Sequence, residues 1–171
     1  MAGAESGAID DAGLLERAEA LGQALLRNWC RVAVAESCTG GWIAKVLTDV
    51  PGSSQWFDRG FVTYSDISKL EVLGVDQVVL TEHGAVSEPV ALAMAEGLRR
   101  YTSCRTAIAV SGIAGPGGGT EAKPVGLVCF GFSAGERVWT VSRQFEGDRE
   151  AVRRRSVAFA LDTLFEAIAA G

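Results

Sequence analysis

Residues 31–35, RVAVA, run into Glu36-Ser37-Cys38-Thr39-Gly40-Gly41 and then into WIAKVLT at 42–48. The β-branched run reads as a short strand, the glycine pair as a tight turn, and the apolar spacing behind it as a helix stopped by Val50-Pro51-Gly52. A second run of the same kind, TAIAV at 106–110, opens into a loop from Ser111 to Thr120 with five glycines in the eight residues Gly112–Gly119. Two strands that each end in a small-residue loop point to an open α/β sheet, whose ligands bind at the carboxyl ends of the strands.

Outward from these junctions the pattern stays α/β. Apolar positions from Leu14 to Leu26 recur at helical spacing, which predicts a helix from Asp10 to about Asn28. Residues 60–64 read as a strand, with Ser65-Asp66 capping a short helix over 67–73. Thr81-Glu82-His83-Gly84 reads as a polar turn, and Ser87 caps a helix with Pro89 in its first turn. Residues 125–132 and 137–145 form a predicted hairpin, and a last helix runs from Asp148 to about Ala169. The expected architecture is a three-layer α/β/α sandwich with a mixed sheet and an antiparallel hairpin. Residues 1–9 read as a disordered leader and 10–171 as one domain.

Composition prunes the functions. The chain has 171 residues, 48% hydrophobic and 22% charged, which excludes a fibrous or disordered protein. Net charge −5 argues against a nucleic-acid partner, and no apolar run approaches the ~20 residues of a membrane span. The N-terminus lacks the basic and apolar regions of a secretory signal. Cys30, Cys38, Cys104 and Cys129 form no C-x-x-C pair, so they read as reduced, mostly buried thiols of a cytoplasmic protein, not as metal ligands. The single histidine, His83, lies in the predicted polar turn, which turns attention from His-based catalysis to Lys, Tyr, Ser or a carboxylate.

Four groups carry candidate chemistry. Ser37 stands where a nucleophile sits on a strand-to-helix turn, though the G-x-S-x-G elbow is absent; the alternative is that Ser37 or Thr39 only caps the helix. N–H groups at that helix start suit an anion or an oxyanion. The glycine-rich loop is not a P-loop, because Gly118 stands where lysine belongs. It lets backbone amides approach a phosphate or carboxamide, or else is simply a flexible surface loop. Lys69 is one of only three lysines among 16 basic residues and follows Tyr64 closely. With histidine set aside, a neutral lysine is the next base for a serine. Bringing a lysine pKa from ~10.4 to ~7 takes about 4.6 kcal/mol, which burial and a neighbouring cation can supply. Otherwise Lys69 is a surface lysine. Arg149 and Arg153 stand four apart on the last helix and read as a solvated basic face, unless Arg149, at the helix start, clamps a phosphate bidentately.

Together, AESCTGG (35–41), GFVTYS (60–65) with Lys69, GAVSEP (84–89), SGIAGP (111–116), KPVG (123–126) and GDR (147–149) resemble the CinA C-terminal family over residues 14–165, and most nearly its stand-alone bacterial members. The resemblance implies an α/β/α sandwich, commonly dimeric, with no metal or other cofactor. It implies hydrolysis of the carboxamide of nicotinamide mononucleotide to nicotinic acid mononucleotide and ammonia, a step of pyridine nucleotide recycling. By position, Ser37 would be the nucleophile, Lys69 its general base and Tyr64 an aid in positioning or relaying the proton. Physical inference adds an oxyanion hole from the N–H groups of Cys38, Thr39 and Gly40. It places nicotinamide and ribose at Ser111, Gly112, Ile113, Ala114 and Gly115, the phosphate at Arg149, and part of an acidic lining for the pyridinium at Glu36. Two other readings stand beside this one: a nucleotide-binding module without chemistry, and an amidase or esterase of other specificity.

Overall fold

The computed structural model describes residues 9–170. Helix α1 is Asp11–Arg27, strand β1 Val32–Glu36, α2 Trp42–Asp49, β2 Phe57–Val62, α3 Asp66–Leu73 and α4 Gln77–His83. They are followed by α5 Glu88–Tyr101, β3 Thr106–Gly112, β4 Leu127–Ala134, β5 Arg137–Gln144 and α6 Arg149–Ala169. The sheet order is β2-β1-β3-β4-β5. Strand β1 runs parallel to both β2 and β3, while β4 and β5 are antiparallel neighbours.

Alternation along the two central strands divides the core. Val32 and Val34 of β1, with Ile108 and Val110 of β3, meet α1, α2 and α6 on one face. Ala33, Ala35, Ala107 and Ala109 meet α3, α4 and α5 on the other. Small side chains on that second face let α5 lie close: a Cβ at Gly131 of β4 would come 2.1 Å from the Ala91 carbonyl oxygen. The expected mixed-sheet sandwich is therefore present, with helices on both faces. No helix among the described residues is long and apolar enough to cross a membrane.

Several boundaries differ from the sequence reading, each for a physical reason. Strand β2 spans Phe57–Val62, not 60–64, because an edge strand tolerates the polar Asp58 and Arg59 at its start. Thr63 and Tyr64 lie beyond its end, which matters below. The polar turn predicted at 81–84 is the end of α4, a helix capped by Asp76 and closed by Gly84; its β-branched residues hid it. His83 is thus the last helical residue, half-exposed, and not a loop histidine. Strand β4 begins at Leu127, because Gly126 at φ +94° turns the chain there. The leader expected over 1–9 lies outside the described residues except for Ile9, which packs partly against the core.

Candidate active site

Only two charged side chains are buried among the described residues, Glu36 and Lys69, each 1% exposed. Both lie at the carboxyl end of the parallel strands. Glu36 is the last residue of β1 and pairs in register with Val110 of β3 and Val62 of β2. The chain then turns through Ser37 to Gly41. The Ser37 N–H donates to the Val110 carbonyl, and the Gly40 N–H returns to the Ser37 carbonyl, both at 3.0 Å. Gly40 and Gly41 have φ of +60° and +94°, the left-handed region that a side chain disfavours, so the glycine pair is what lets β1 reverse into α2.

The Glu36 carboxylate organises this turn from inside. Its Oε2 accepts from Thr39 Oγ1 at 2.5 Å, Gly41 N–H at 3.1 Å and Ile43 N–H at 3.0 Å, and its Oε1 accepts from Ala44 N–H at 2.8 Å. This corrects two expectations. The Ile43 and Ala44 amides at the start of α2 are spent on Glu36 and the Trp42 amide on the Thr39 carbonyl, so the helix start is not an open anion site. Glu36 is committed to the turn and does not line a pocket for a cationic ring. Thr39 likewise serves Glu36 with its hydroxyl.

Lys69 reaches the turn from α3. Ser65 caps that helix by accepting the Ser68 N–H at 3.2 Å. The Lys69 Nζ lies 3.3 Å from Ser37 Oγ, 2.7 Å from the Thr63 carbonyl and 3.5 Å from the Tyr64 carbonyl. Burial pushes the amine below the usual lysine range, while Asp66 and Cys38 push it back up. The cation that the sequence reading allowed for is not among the causes. A neutral amine has two N–H donors and one lone pair. In that form the two carbonyls, which can only accept, would take both donors and leave the lone pair to the Ser37 hydroxyl; a charged amine donates to Ser37 Oγ instead. The geometry suits a base.

The other predicted residues fall around this pair in different ways. Tyr64 reaches Lys69 through its carbonyl; its exposed hydroxyl instead accepts from Arg149 Nη2 at 3.0 Å, so a direct proton relay from the phenol to Lys69 is not what the geometry provides. Arg149 Nη1 also donates to the Gly115 carbonyl at 2.8 Å, which ties the first residue of α6 to the glycine-rich loop. The Ser111 hydroxyl is engaged with the Ala85 carbonyl at 2.8 Å. Gly112 is packed against the turn: a Cβ there would come 3.1 Å from Cys38 Sγ. The Ile113 N–H pairs with the Leu127 carbonyl at 2.9 Å, while Ala114 is buried. The Ser37 and Gly40 N–H groups are used by main-chain carbonyls and the Gly41 N–H by Glu36, which leaves the Cys38 and Thr39 N–H groups of the turn without a main-chain or carboxylate acceptor among the described residues. Burial drives the Cys38 thiol up to about 12, so it stays protonated and unreactive beside Ser37 at neutral pH.

Two features went unread in the sequence. Arg153, on the face that the sequence reads as solvated, donates to the Cys38 and Thr39 carbonyls. Its spacing of four from Arg149 was the available signal. Thr63 Oγ1 is, among the described residues, the one fully buried side-chain polar atom without a partner. Among the same residues, no three His, Cys, Asp or Glu side chains converge as a metal ion would need.

Known proteins resemble this chain over most of its length. The profile of the CinA C-terminal domain matches residues 15–168. Nicotinamide-nucleotide amidohydrolase PncC of Escherichia coli (strain K12) is 50% identical over 159 residues, covering 92% of this chain and 96% of that protein. PncC of Pseudomonas putida is 52% identical over 146 residues, covering 85% and 91%. The crystal structure of a CinA superfamily protein from Klebsiella pneumoniae superposes with a TM-score of 0.89 at 37% identity, covering 92% of this chain and 99% of that one.

Proposed function

The chain belongs to the CinA C-terminal domain family, and from that membership and the buried Ser37–Lys69 pair we propose that it hydrolyses the carboxamide of nicotinamide mononucleotide to nicotinic acid mononucleotide and ammonia. The amidohydrolase class comes from the relatives that are half identical over nearly their whole length. The observation that carries the mechanism is Lys69 Nζ at 3.3 Å from Ser37 Oγ, with both side chains buried.

The reaction follows from the donors and acceptors in place. Lys69, neutral and oriented by the Thr63 and Tyr64 carbonyls, takes the Ser37 proton as Oγ attacks the carboxamide carbon. The pyridinium ring withdraws electrons from that carbon and aids attack. The oxyanion of the tetrahedral intermediate meets the N–H groups of Cys38 and Thr39. Lys69 then hands its proton to the leaving nitrogen, which departs as ammonia and leaves an acyl ester on Ser37. Water attacks that ester, Lys69 removes the water proton, and its return to Ser37 frees the acid. Arg149, already placed between Tyr64 and the Gly115 loop, holds the 5′-phosphate, whose binding energy orients the reacting end. The Ser111–Gly115 loop borders the nicotinamide and ribose. The same reading makes the protein a cytoplasmic homodimer in pyridine nucleotide recycling.

The test is ammonia release from nicotinamide mononucleotide by the purified chain, with Ser37→Ala as control and free nicotinamide as comparator. The expected result is release that falls at least about 10³-fold in the variant and is slow on free nicotinamide. Full activity in Ser37→Ala removes the nucleophile. Equal rates on both compounds remove the phosphate contact. Nucleotide binding without any release favours the non-catalytic module.

A further inference from the structure

The reaction as drawn makes no use of Arg153, yet this residue is built into the nucleophile turn. It lies one helical turn beyond Arg149 on α6. Its Nε donates to the Cys38 carbonyl and its Nη2 to the Thr39 carbonyl, each at 3.0 Å. Its guanidinium lies over the Trp42 ring, 5.3 Å from the centroid, which fixes the plane of the fork. A Cβ at Gly40 would sit 3.4 Å from Nη2, so the fork also packs against the left-handed turn.

Peptide geometry links this contact to the other side of the turn. In a trans peptide the C=O and the N–H point in opposite directions. The Cys38 carbonyl and the Thr39 N–H belong to one such unit. With the carbonyl held on Arg153, the Thr39 N–H is turned away from α6. A full positive charge at the carbonyl end also draws electron density from the N–H end, and that makes it a stronger donor.

We propose that Arg153 is a positioning residue of the oxyanion hole: it clamps the Cys38 and Thr39 carbonyls from outside so that the Thr39 N–H is aimed and polarised toward the developing oxyanion. The inference rests on the reading of Ser37 as nucleophile. It predicts a loss in kcat and not in KM, because the contact acts on the transition state through the Cys38 and Thr39 peptide groups.

Three variants of the full chain test it: Arg153→Ala, Arg153→Lys and Arg149→Ala, with ammonia release, thermal melting and Ser37 labelling read on each. The label is a fluorophosphonate, in which Ser37 Oγ displaces fluoride at phosphorus and builds charge on the phosphoryl oxygen. Arg153→Ala is expected to lose about 10²–10³ in kcat and in labelling rate, with KM within about threefold of wild type. Arg153→Lys keeps the charge without the fork and is expected to fall between. A cleft of about 420 Å³ bordered by Gly40, Gly41, Trp42 and Arg153 opens beside the clamp. Added methylguanidinium should therefore restore part of the Arg153→Ala rate, as a looser fold would not allow, and should not restore Arg149→Ala. Unchanged kcat in Arg153→Ala, a rise in KM at constant kcat, or a loss explained by melting with no rescue overturns the inference while leaving Ser37 in place. A wild-type chain that labels at Ser37 but releases no ammonia overturns the substrate and still tests the clamp through labelling. One that does neither overturns both.

Discussion

Replacing Glu36 by glutamine tests whether a buried carboxylate holds the nucleophile turn together. Two carboxylate oxygens receive four donors: Thr39 Oγ1, Gly41 N–H and Ile43 N–H on Oε2, and Ala44 N–H on Oε1. An amide has one oxygen. That oxygen goes to the side with three donors, and the new NH2 then faces the Ala44 N–H, donor against donor at a spacing of 2.8 Å. Leaving that donor unpaired costs about 1–3 kcal/mol. The three bonds that remain lose their charged acceptor, worth roughly 1 kcal/mol each. These terms overlap, because the amide can shift to share the strain, and a net loss of about 3–5 kcal/mol is expected. In a chain of this length each kcal/mol moves the midpoint by about 2–4 °C, which gives a fall of roughly 6–20 °C in Tm. The assay is a circular-dichroism melt beside ammonia release at a temperature where the variant is folded. There, displacement of Ser37 should cost at least about tenfold in rate. A Tm within about 2 °C of wild type with full turnover would refute the reasoning, and Glu36 would then be dispensable to the turn.

Two further substitutions read the base and its surroundings. Lys69→Met should abolish turnover and flatten the pH dependence of stability. Burial lowers the Lys69 pKa on folding, so between the folded and unfolded values the unfolded chain holds more protons. Wild-type stability then rises with pH across that window, and below it the cost of the buried ammonium is present in full. The variant should therefore melt higher than wild type at acid pH and show a smaller Tm rise toward alkaline pH; a steeper rise would contradict the sign. The acid side of the wild-type kcat/KM profile should fall as the same amine protonates. Thr63→Val replaces a buried hydroxyl that has no partner by a group of similar shape, and should leave Tm unchanged or raise it by the equivalent of about 1 kcal/mol. A fall beyond about 2 kcal/mol would show that this hydroxyl is bonded in solution.

The parts of the fold legible in the sequence are those where several local signals coincide. At 31–48 the β-branched run, the glycine pair and the helical spacing agree, and the strand, turn and helix lie there. Ser87 and Asp148 cap α5 and α6 as their side-chain chemistry requires. Strand β2 is hard to place from sequence because an edge strand need not alternate cleanly, and α4 is hidden because β-branched residues mask a seven-residue helix. In the site, scarcity marked Lys69, but no spacing rule connects it to a serine 32 residues away; that link came from family resemblance, and the structure gives it a distance. The roles of Glu36 and Arg153 are illegible in the sequence for a common reason. Each acts by gripping the backbone of the Ser37 turn, and sequence reveals which residues are charged but not which peptide groups they will find.

The base and the groups that orient it all come from residues 63 to 69, the Thr63 and Tyr64 carbonyls and the Lys69 amine being joined by one capped helical turn. That half of the site is encoded by contacts short in sequence, which form early and cheaply when a chain folds. The nucleophile is delivered to it by one long-range pairing, whose last bond runs from the Thr63 N–H to the Glu36 carbonyl at 2.8 Å. Assembly of the two halves thus follows the docking of β1 on β2. The order of events in folding sets when the chain becomes reactive: the amine can be in place beforehand, but no serine stands before it until the sheet has closed.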